Sequence, residues 1–82
     1  MNRKIKLIWD FRGFESLEIA KHHCIYLEEF ALKEKLPFYA IASQEISEMY
    51  SIASMVVDEK NMLLFRDALK PHRGEVASEL QK

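Results

Sequence analysis

The sequence predicts an α+β fold, an antiparallel sheet with two helices packed on one face. Three observations predict it. Segments of strand and helix character follow one another as strand, helix, strand, strand, helix and a short final segment, all within 82 residues. The apolar period changes from two to three or four and back in step with that order. Gly13, Pro37, Pro71 and Gly74 fall at the breaks.

The first strand is expected over Ile5–Phe11, where Ile5, Leu7, Trp9 and Phe11 alternate with Lys6, Ile8 and Asp10. A long helix follows from Glu15 to Lys35. Leu17, Ala20, Cys24, Leu27 and Ala31 form its core stripe, with Ser16 as a candidate N-cap. Phe38–Ile46 and Met49–Val57 read as two strands around a turn near Ser47-Glu48. Asp58–Lys70 reads as the second helix, capped by Asp58, with Met62, Phe65, Ala68 and Leu69 on its buried face. Glu75–Leu80 fits either a short edge strand or a helical tail.

This order is that of the split βαβ, or ferredoxin-like, sandwich, and it implies one domain over residues 1–82. The resemblance to ferredoxin-like domains covers nearly the whole chain and rests on element order alone. Heavy-metal-associated domains carry a Cys-x-x-Cys where this chain has Arg12-Gly13-Phe14. Acylphosphatases carry a glycine-rich phosphate loop there, and Arg12-Gly13 does not supply one. Asp10 and His23 are compatible with the small enzymes of the dimeric α+β-barrel type.

Composition narrows the function classes. Formal charge is −1, too balanced for a general nucleic-acid binder. At 49% hydrophobic residues the chain has too much apolar material for disorder, and no apolar run approaches the roughly 20 residues of a membrane span. The opening residues pass straight into an amphipathic strand and read as no signal peptide. Cys24 is the single cysteine, which excludes an intramolecular disulfide and a paired-cysteine metal site; the cytoplasm is the expected compartment. A core this small, burying about 60–65% of the unfolded surface, would gain from assembly. The uncovered sheet face is partly apolar, and a homodimer through it is expected.

Alternating element directions bring the end of the first strand, the start of the first helix, the hairpin turn and the end of the second helix to one pole. That pole gathers Asp10, Arg12, Gly13, Glu15, Gln44, Glu45, Glu48, His72 and Arg73. Arg12, His72 and Arg73 are the candidate ligand-binding residues, with donors suited to a carboxylate or phosphate. The plainer reading of the same residues is an Asp10–Arg12 or Asp10–Arg73 ion pair that orders a loop. His23 lies within the apolar arc of its helix and is expected to be a packed ring. Its functional alternative is a general acid or base oriented by Asp10, and these two are the catalytic candidates. His22 and His23 point about 100° apart on a helix and cannot share a metal ion, so no metal site is expected. Cys24 is expected to be buried and inert.

No motif specifies a reaction or a cofactor. The expected function is a small homodimeric module that binds an anionic small molecule at the polar pole. The alternatives are a dimeric α+β-barrel-type enzyme using the His23/Asp10 pair, and a subunit that docks another protein.

Overall fold

The computed structural model describes residues 3–77. Its elements run β1 (Lys4–Arg12), α1 (Ser16–Glu34), β2 (Ala40–Ser47), β3 (Tyr50–Asp58), α2 (Glu59–Leu69) and β4 (Arg73–Val76). All pairings are antiparallel and the strand order is β2-β3-β1-β4. The two strands richest in apolar residues, β1 and β3, therefore take the centre. The short β4 and the exposed β2 take the edges.

Odd positions of β1 build the core, as the alternation requires. Ile5, Leu7 and Trp9 cluster with Ala53, Met55 and Val57 of β3, and with Leu27 of α1 and Phe65 and Leu69 of α2. Side chains buried this fully contribute about 1.5–3 kcal/mol each. Trp9 also satisfies its one polar atom there, because its indole N–H donates to the Leu69 carbonyl at 2.9 Å. That bond ties β1 to the end of α2, where the chain turns into β4.

Local details depart from the sequence expectation in four places. Ser16 is not the N-cap. It is the first helical residue, and its buried hydroxyl lies 3.0 Å from that of Ser51. Asp58 does occupy the N-cap position of α2 but makes no capping bond, because its carboxylate accepts the Tyr39 hydroxyl at 2.8 Å. Ala68 is exposed; the buried face of α2 narrows to Phe65 and Leu69 with Met62 beside them. The final strand starts earlier than expected, at Arg73, which pairs with Ile8; the part of Glu75–Leu80 beyond Ala77 lies outside the described residues.

The second sheet face presents the even positions of β1 with Tyr50, Ile52, Ser54 and Val56 of β3. It is less sticky than the sequence suggests. Ile8 and Ile52, at its middle, are only 2% and 6% exposed. The hairpin between β2 and β3 turns at Glu48-Met49 without glycine, after a register shift between Glu45 and Ser47.

Candidate functional site

Four of the five sequence-predicted residues meet at one corner of the second sheet face. β1 carries Asp10 and Arg12 on the same face, and β3 begins opposite them with Tyr50. The Tyr50 hydroxyl donates to Asp10 Oδ1 at 2.5 Å. Arg73 reaches the same carboxylate from the start of β4, with Nη2 at 3.2 Å from Oδ1 and Nε at 3.4 Å from Oδ2. Arg73 Nη2 also donates to the Tyr50 oxygen at 3.2 Å. Arg12 lays its guanidinium over the Tyr50 ring, 4.2 Å from the centroid, and makes no ion pair among the described residues.

His72 completes the corner from its backbone side. Its Nδ1 accepts the Asp10 backbone N–H at 2.7 Å, and its backbone N–H donates to the Ile8 carbonyl at 2.9 Å. With Nδ1 accepting, Nε2 is the ring nitrogen available as a donor. The hydrogen bond from Tyr50, and then that from Arg73, hold the Asp10 carboxyl below the usual carboxylate range. A carboxylate so well supplied with donors is a poor proton acceptor. Its geometry makes it a latch that fastens β4 to the middle of the sheet.

Asp10 and His23 do not meet. Strand alternation sends Asp10 to the second face, while the His23 ring packs on the core face against Trp9 and Phe11, at centroid distances of 5.0 and 5.4 Å. Tyr26 closes the other side at 5.8 Å. His23 Nε2 is shut off from solvent and finds no hydrogen-bond partner among the described residues. Burial chiefly, with a smaller contribution from charge on His72, depresses its pKa. Cys24 is half-buried, and burial pushes its thiol up. Among the described residues no three His, Cys, Asp or Glu side chains are grouped to hold a metal ion, and no helix is long and apolar enough to cross a membrane.

The latch borders a cleft that sequence reasoning missed. Between α2 and β4 lies an open cleft of about 400 Å³, floored by Ile5 and Leu7 and walled by Met62, Pro71 and Val76, with Arg66, His72, Arg73 and Glu75 also lining it. Gly74 keeps it open. It pairs with Leu7 on the core side of the sheet. A β-carbon at Gly74 would point at Leu7 Cδ2 and Ile5 Cγ2, at 3.6 and 3.8 Å, ordinary contact distances. The missing side chain is therefore missing volume rather than relieved crowding. The one signal in the sequence was a glycine inside a strand, which often marks a close approach by something else. Tyr50 was the other omission, since its role depends on lying opposite Arg12 in the register. Compared with known proteins, the chain matches no family model, no curated protein and no solved structure.

Proposed function

We propose that this chain is a ferredoxin-like binding module without chemistry of its own, and that its ligand is a small carboxylate with an apolar body, seated in the cleft between α2 and β4. The observation that carries the reading is the cleft itself, about 400 Å³ with mostly apolar walls and polar side chains at Arg66, His72, Arg73 and Glu75, the last of them paired with Arg73. Its size and character are those of small-molecule sites. Arg66 supplies the charge. Its described partner is the neighbouring Asp67 at 3.3 Å, an exposed pair worth little, so the guanidinium is open to a better one. His72 adds a hydrogen-bond donor at the lip. Arg73 is already committed to Asp10 and Glu75, and it supports the site by holding β4 in place. Arg12 lies on the other sheet face and has no part in the cleft.

A titration with octanoate tests the reading, with octanol as the uncharged control. Trp9 is the sole tryptophan and is hydrogen-bonded to the end of α2, so its emission reports on the cleft. The expected result is a saturable change with octanoate. Octanol should bind about tenfold more weakly, the loss of one charge-assisted hydrogen bond of about 1.5 kcal/mol. Arg66→Gln should remove that preference and leave octanol binding unchanged. Absence of saturation with either molecule would overturn the proposal, and equal affinity for both would remove the anion from it.

A further inference from the structure

We propose that a second copy of this chain docks on the free edge of β2, joining the two sheets into one about a twofold axis normal to the sheet. β2 is an outer strand, and natural edges are guarded by charge, proline or bulges. Here the guards stand at the ends only: Pro37 precedes the strand and the register shift comes at Glu45–Ser47. From Ala40 to Gln44 there is no charged residue, proline or glycine. Such an edge accepts an extended strand, and antiparallel pairing of two identical edges closes on itself.

What selects a second copy is the flank of α1 that travels with β2. α1 packs mainly over β3 and β2 with a smaller contact to β1, within about one strand spacing of the β2 edge, while the pairing axis lies half a spacing outside it. Pairing therefore sets two antiparallel α1 helices about 10–14 Å apart, within reach of the long side chains on their facing flanks. The facing flank is Lys21, Ile25, Glu28 and Leu32, which share one side by their three- and four-residue spacing. Ile25 and Glu28 border a groove of about 390 Å³ against Phe38–Ile41, so this flank does lie on the β2 side. Ile25 and Leu32 are 54% and 65% exposed, unusual for two aliphatics on one helix side. With the axis near Ile25, the two isoleucines meet, and Lys21 of each copy faces Glu28 of the other. Neither charge has an ion-pair partner among the described residues. The surface is thus complementary to itself in both apolarity and charge. It lies at the sheet edge opposite the ligand cleft, so it is tested independently of ligand binding.

Sedimentation of the purified chain across a concentration series is the test. The native chain should run as a dimer. Lys21→Glu and Glu28→Lys should each weaken association about tenfold, because each reverses two symmetry-related pairs. Mixed in equal amounts, the two variants should re-form a dimer, since every contact then joins opposite charges. Both sites are exposed helix positions, and unchanged circular dichroism would show that the fold survives. As a second readout, amide exchange over Ala40–Gln44 should slow as the native chain is concentrated. A native monomer at every concentration, a dimer indifferent to both substitutions, or a mixture that stays monomeric would overturn the proposal.

Discussion

His23 shows how a single residue shapes the pH behaviour of a small core. Its ring is held by three aromatic neighbours, yet Nε2 has no partner among the described residues, and an unsatisfied buried nitrogen costs about 1–3 kcal/mol. Its folded pKa lies below the unfolded value of 6.5, so the unfolded state binds more protons between the two values. Stability is then intact above pH 6.5 and falls as pH drops from there toward the folded pKa. Asp10 shares the sign in a lower window. Its pKa is depressed from 3.8, so its contribution is present above that value and is lost on further acidification. His23→Phe keeps the ring contacts and removes the orphan. Urea unfolding should find this variant as stable as the native chain at pH 7.5, or up to about 1–2 kcal/mol more stable. The native loss that begins below pH 6.5 should disappear, while the loss below pH 3.8 persists. A variant that retained the upper transition would assign it to another group.

At the scale of elements, both helices end in a conformation that suits glycine and use lysine instead. Lys35 and Lys70 have φ of 58° and 52°, and their backbone N–H groups reach back to the Ala31 and Arg66 carbonyls as helix C-caps. A side chain costs about 1 kcal/mol in this region, and glycine escapes that cost. Lys70→Gly should therefore raise the free energy of unfolding by about 0.5–1 kcal/mol, measured in urea, with the turn into β4 unchanged. A destabilised variant would show that the lysine chain itself stabilises the turn. These ends also mark what the sequence made legible. Pro37 and Pro71 announced that each helix stops, and the elements before them fell within one or two residues of expectation. Whether the last segment is strand or helical tail was left open, because Arg73 and His72 join the strand through bonds to Asp10 and Ile8, which come from distant sequence. Long-range pairing leaves no local trace.

Across the whole molecule, the element order and the odd-numbered core of β1 were readable from periodicity. So was the meeting of Asp10, Arg12, His72 and Arg73, which follows from element direction alone. The face on which each of them works was not readable, because that depends on register and on volume. Asp10 and His23 sit 13 residues apart in sequence and on opposite sides of the sheet. The second face of the sequence reading keeps its Ile8 and Ile52 buried, and exposed aliphatics lie on both helices, at Ile19, Ile25 and Leu32 of α1 and Leu63 and Leu64 of α2. The cleft left one slight signal, Gly74 inside a strand, where no side chain fills the space beside Leu7 and Ile5. The central claim is that this absence serves a ligand. Octanoate affinity and unfolding free energy should therefore be measured side by side for the native chain and Gly74→Val. The β-carbon of a side chain there meets its neighbours at ordinary contact distance, so stability should rise by about 1 kcal/mol, while octanoate affinity should fall at least tenfold as the cleft fills. Unchanged octanoate affinity in a stabilised Gly74→Val chain would contradict the account.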